Sequence, residues 1–80
     1  MATLNITYNG LSADYALELD ARVSDADIRR IAVEVVRAGN VPGLNLPHLT
    51  DAAFDGFVVD RLQGGQRIYL RPKVPFGAGV

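Results

Sequence analysis

Leu4, Ile6 and Tyr8 alternate with Thr3, Asn5, Thr7 and Asn9. Period two over this length predicts a strand with one buried face. Asn9-Gly10 follows, and Asn-Gly is the strongest short hairpin signal because both residues accept a positive φ. A two-residue turn pairs Tyr8 with Leu11, Ile6 with Ala13 and Leu4 with Tyr15, all on the apolar face; a longer loop through Asp14 is also compatible. Tyr15, Leu17 and Leu19 carry the second strand on.

The period then changes to that of a helix, from Ser24 to Gly39. Ser24 suits an N-cap, Asp25 and Asp27 favour the positive end of the helix dipole, and Gly39 stops the element. Ile28, Ile31, Ala32, Val35 and Ala38 form the expected apolar stripe, with Arg29, Arg30, Glu34 and Arg37 mainly off it. Asp25–Arg29 and Arg30–Glu34 are the expected i,i+4 pairs. So many β-branched residues make a poor isolated helix, so packing on a sheet must hold it.

Residues 40–56 are irregular. Pro42, Gly43, Pro47 and Gly56 interrupt a stretch that keeps Leu44, Leu46, Leu49 and Phe54. So apolar a loop is expected to pack over the end of the core, with a short helical turn at Thr50–Phe54. Phe57 to Leu62 reads as a strand, Gln63-Gly64-Gly65 as a turn and Gln66 to Arg71 as the return strand. A competing helix from Thr50 to Leu62 is opposed by Gly56 and by Val58-Val59. The prolines of the last segment, Pro72 and Pro75, bar it from a central strand, so residues 74–80 read as an extended tail after a domain spanning residues 1–73.

With a three-residue turn, Val58 pairs with Leu70 and Asp60 with Ile68. Phe57, Val59 and Tyr69 then share an outward face with Arg61, Arg67 and Arg71. Aromatic and arginine side chains dominate interface hot spots, so this patch, with Lys73 and Phe76 of the basic tail, is the candidate partner-binding surface. A two-residue turn disperses it.

Composition narrows the chemistry. Eighty residues make one domain, and without cysteine there is no disulfide, thiolate metal site or cysteine nucleophile. That fits a cytoplasmic protein. The N-terminus lacks the basic and apolar regions of a signal peptide, and no stretch has the length to span a bilayer. His48 is the one histidine; capping a backbone group or facing water accounts for it. Ser12 and Ser24 have turn and cap roles. No catalytic constellation, cofactor motif or small-molecule site is evident, so the chain is expected not to be an enzyme. Residues 1–60 hold all nine acids and four arginines, whereas residues 61–80 hold Arg61, Arg67, Arg71 and Lys73 and no acid. Because the total charge is only −1, a protein partner is expected over nucleic acid.

Hairpin, helix, irregular stretch and hairpin, in this order and length, resemble the ubiquitin-like β-grasp family. The resemblance implies an α+β fold whose sheet curls around one helix, with the first and last strands meeting in parallel. It also implies a non-catalytic protein–protein interaction module binding through the second hairpin and tail. Conjugated and sulfur-carrier members end in Gly-Gly, and this chain ends Gly79-Val80. A structural subunit of a larger homo- or hetero-oligomer, with the tail as connecting arm, is the alternative, and an accessory or sulfur-carrier-like enzyme subunit a further one.

Overall fold

The two hairpins join through their inner strands. In a computed structural model that describes residues 1–20 and 22–73, β1 (Ala2–Tyr8) pairs antiparallel with β2 (Leu11–Leu17). Helix α1 (Asp25–Arg37) follows, then β3 (Val58–Leu62) and β4 (Arg67–Arg71). The sheet order is β2-β1-β4-β3, with β1 and β4 parallel and both outer pairs antiparallel. This is a small α+β domain of one helix and a four-stranded mixed sheet, consistent with a β-grasp arrangement. The tail segment 74–80, including Phe76, lies outside the described residues.

The first hairpin follows its residues. Asn9 and Gly10 both take positive φ, 50° and 79°, and the register pairs Tyr8 with Leu11, Ile6 with Ala13 and Leu4 with Tyr15. Leu4 and Ile6 of β1, with Ile68 and Leu70 of β4, are fully buried and form the floor under the helix.

Ser24 caps α1 as expected, its Oγ accepting from Asp27 N–H at 3.1 Å. At the other end Gly39 takes φ 78°. Its N–H reaches Val36 O and the Asn40 N–H reaches Val35 O, the double closure of a Schellman turn that satisfies carbonyls the helix leaves open. A side chain at 39 would be strained in φ and would also press on Asn45 at 3.3 Å.

The buried face of α1 is rotated from the expected stripe. Ile28, Ala32, Val33 and Val36 are buried, whereas Ile31 and Val35 are half-buried and Ala38 is exposed. The reason lies in the segment 41–57, which contributes Val41, Leu44, Leu49 and Phe54 to the core. Arg29 Nε donates to Phe57 O at 3.0 Å and Arg37 to Leu49 O at 3.2 Å. These arginines fasten the helix to that segment, turning Val33 and Val36 inward. Asp25 consequently pairs with Arg61 rather than Arg29, while Arg30–Glu34 forms as expected.

The irregular segment does pack down, but without a helix. Successive turns close through Ala53 N–H to Thr50 O, Asp55 N–H to Ala52 O and Phe57 N–H to Phe54 O. Phe54 is fully buried and meets Tyr8 and Phe57 edge-on, with ring centroids 5.5 and 5.0 Å away.

Two tests address this architecture. Phe54→Ala removes the largest buried side chain and is expected to cost about 3–5 kcal/mol in urea unfolding. Ser24→Ala is expected to cost about 1 kcal/mol at pH 7 through the lost cap. Asp27 is held below the usual carboxylate range, first by Ser24 and then by Arg30. A depressed carboxyl contributes stability above its unfolded pKa and loses it as pH falls through the folded one. The gap between wild type and Ser24→Ala should therefore narrow below about pH 4; a gap constant with pH would show that Asp27 takes no part.

Candidate protein-interaction face

The register of the second hairpin decides which side chains stand together. The loop between β3 and β4 has four residues, Gln63 to Gln66, and Leu62 pairs with Arg67. Gln63, Gly64 and Gly65 take φ of 55°, 66° and 91°, and Gln66 returns to the right-handed region. Val58 therefore pairs with Arg71, Val59 with Leu70, Asp60 with Tyr69 and Arg61 with Ile68. This corrects the expected pairing of Val58 with Leu70 and Asp60 with Ile68. One added loop residue reverses which face β3 gives to each side chain.

The expected patch is split accordingly. Val59 lies on the helix side and packs against the core, as does Phe57, whose ring lies 6.2 Å from Tyr8. Arg61 also lies on the helix side, its guanidinium 2.6 Å from the Asp25 carboxylate at the start of α1. Arg67, Tyr69 and Arg71 remain together on the opposite face, joined there by Val58, Asp60 and Leu62. Lys73 is exposed beyond the end of β4.

Tyr69 sits near the middle of this open face. β4 places Arg67 two residues before it and Arg71 two residues after, and both guanidiniums stand 5.4 Å from its ring centroid. Cation–π attraction of this kind, about 0.5–1 kcal/mol at exposed sites, holds two long side chains flat against the sheet. Arg67 Nε also donates to the Tyr69 hydroxyl at 3.1 Å. That contact is the main cause raising the Arg67 pKa, with Asp14 a lesser contributor.

The two arginines differ in charge balance. Arg71 donates through Nε and Nη2 to Asp60 across the β3–β4 pair, whereas Arg67 has no carboxylate within ion-pair distance among the described residues. Its cationic edge is available to an acidic group. Leu62, opposite Arg67, is 50% exposed, and Val58, opposite Arg71, is 38% exposed. On the β1–β2 half, Asn5 donates to Ser12 Oγ at 3.0 Å and to Asp14 at 2.8 Å, and Thr7 also reaches Asn5. The face is thus polar on one half and cationic with apolar margins on the other.

Val58 and Leu62 were not among the expected surface residues. Their signal was present in the sequence, since the alternative two-residue turn at Gly64-Gly65 gives the same register as the four-residue loop and sets Val58 opposite Arg71 and Leu62 opposite Arg67. His48 is exposed and lines a shallow apolar groove with Tyr8, Leu46, Leu49 and Ala53. Among the described residues, no three His, Cys, Asp or Glu side chains are grouped to hold a metal, and no helix is long and apolar enough to cross a membrane.

Compared with protein-family models, curated proteins and solved structures, the chain matches none of them.

The Asp60–Arg71 pair is testable by a double-mutant cycle. A coupling of about 0.2–1 kcal/mol is expected for an exposed pair from Asp60→Asn, Arg71→Gln and the combined variant in urea melts. A coupling of zero would show that Asp60 does not hold Arg71.

Proposed function

We propose that this chain is a ubiquitin-like, β-grasp protein-interaction module without catalytic activity of its own, and that it docks a partner protein on the open face of its sheet. The observation that carries this reading is Tyr69 between the guanidiniums of Arg67 and Arg71 on the face away from the helix. An aromatic flanked by arginines and bordered by apolar side chains has the composition of an interface hot spot. The ion pair to Asp60 and the hydroxyl contact of Arg67 fix these side chains before binding, which lowers the entropy lost on association.

The partner chemistry follows from the margins. Val58 and Leu62 ask for apolar side chains, and Arg67, opposite Leu62, asks for a carboxylate at that end of the patch. Protein is favoured over nucleic acid because Asp60 neutralises Arg71 and Asp14 lies on the same face. A strand of phosphates would meet Arg67 there with repelling carboxylates on the same face. A cytoplasmic setting is part of this reading. The tail, named with this surface in the sequence, contributes Lys73 at the end of β4 and otherwise lies outside the described residues.

The test is retention of partners from native lysate on the immobilised full chain. Tyr69→Ala and Arg67→Glu are expected to lower retention of the same protein by roughly 30-fold or more, the effect of losing a hot-spot residue. Arg30→Ala on the helix should leave retention unchanged. Retention abolished by nuclease, or retained in both sheet-face variants while their melting temperatures hold, would overturn the proposal.

A further inference from the structure

The sheet ends on two edges, and they are protected unequally. β3 has five residues, and its two charged side chains, Asp60 and Arg61, are both engaged in ion pairs. β2 has seven residues paired to β1 without a bulge, and it contains no proline or basic residue. Natural edge strands are usually blunted by lysine, proline or a bulge. β2 has none of these, and Asp14 is its one charge.

The direction of its free backbone groups follows from β1. Thr3 N–H donates to Gln66 O at 2.8 Å, so odd residues of β1 turn their backbone groups towards β4. Even residues turn theirs towards β2, where Tyr8, Ile6 and Leu4 face Leu11, Ala13 and Tyr15. The alternate residues Ser12, Asp14 and Ala16 therefore point N–H and C=O at the open edge. Among the described residues, no strand meets them.

We infer that this edge pairs antiparallel with the same edge of a second copy, about a two-fold axis at Ala13. The strand's own side chains select that register. Centring the axis on Asp14 would set two carboxylates directly opposite one another, which like-charge repulsion disfavours. Centring it on Ala13 sets each Ser12 hydroxyl opposite an Asp14 carboxylate, between residues whose backbone groups both face the edge. Leu11, 52% exposed in the single copy, then lies opposite Tyr15. Alanine falls on the axis, in the non-hydrogen-bonded pair where Cα atoms approach to about 4.5 Å. The contact is isologous and closes as a dimer rather than growing into a filament. It joins two four-stranded sheets into one of eight strands, and leaves the Tyr69 face of each copy free.

Contacts burying less than about 1,200 Å² hold transient complexes, so the dimer is to be sought at high protein concentration. Sedimentation equilibrium of the full chain should show a reversible monomer–dimer transition. Over the same range the Ser12 and Asp14 amides should gain hydrogen-exchange protection, while Ala13 and Tyr15 stay protected throughout. Ser12→Lys places an ammonium opposite Asp14 twice and should tighten the dimer by roughly 2- to 30-fold. Ser12→Asp should dissolve it. A monomer for both wild type and Ser12→Lys at millimolar concentration would overturn the inference. So would a dimer that Ser12→Lys leaves unchanged but Ala16→Lys strengthens, since that places the axis at Tyr15. Exchange measured on each variant alone separates a lost dimer from a lost hairpin.

Discussion

The parallel pairing of β1 with β4 is the contact on which the rest of this domain depends. A two-stranded hairpin is marginal in water, and this chain has one at each end. Setting Leu4 beside Ile68 and Ile6 beside Leu70 merges two narrow apolar stripes into one floor. That floor is wide enough for a helix whose β-branched residues favour packing over intrinsic helicity. The same register sets Thr3 beside Arg67 and Asn5 beside Tyr69 on the opposite side. Core and candidate surface are thus two consequences of one alignment.

The irregular segment 41–57 is as much a part of the core as the regular elements. Val41, Leu44, Leu49 and Phe54 close the side of the helix that the sheet does not reach. Its backbone is held by arginines of α1 as well as by its own turns. Such a loop can be irregular because its apolar residues supply the holding energy while surface turns keep most polar groups wet. The Asp25–Arg61 pair adds a tie between the start of α1 and β3, on the side away from the candidate interface.

Much of this was legible in the residues. Asn9-Gly10 defined the first register, and Ser24 and Gly39 bounded the helix because each performs a local task that few residues perform. The mixed sheet with its first and last strands parallel was an implication of the resemblance to the β-grasp arrangement, not of any single residue. The helix face was less legible: Ile31, Val33, Val35 and Val36 are all apolar, so two overlapping stripes were available and tertiary packing chose between them. The second hairpin depended on Gln66, whose right-handed conformation leaves no mark in its residue type. That residue moved Phe57, Val59 and Arg61 to the helix side, but left Arg67, Tyr69 and Arg71 together, because alternation within one strand does not depend on the loop. Arg71 and Tyr69 were therefore readable as neighbours from β4 alone, while Val58 and Leu62 were not.

The sheet order has a further consequence for how the molecule comes into being. Residue 3 must find residue 67 before the two central strands exist, so everything between them has to be made before the core can close. Non-local pairings of this kind carry their loop-closure entropy in advance and slow folding relative to helical domains of the same size. During synthesis the first hairpin and the helix emerge with their apolar sides open, and β4 is the last of the described strands to arrive. The completed domain is thus set by its final strand, and Tyr69, which marks the outer face, enters the structure in the same event that seals the inner one.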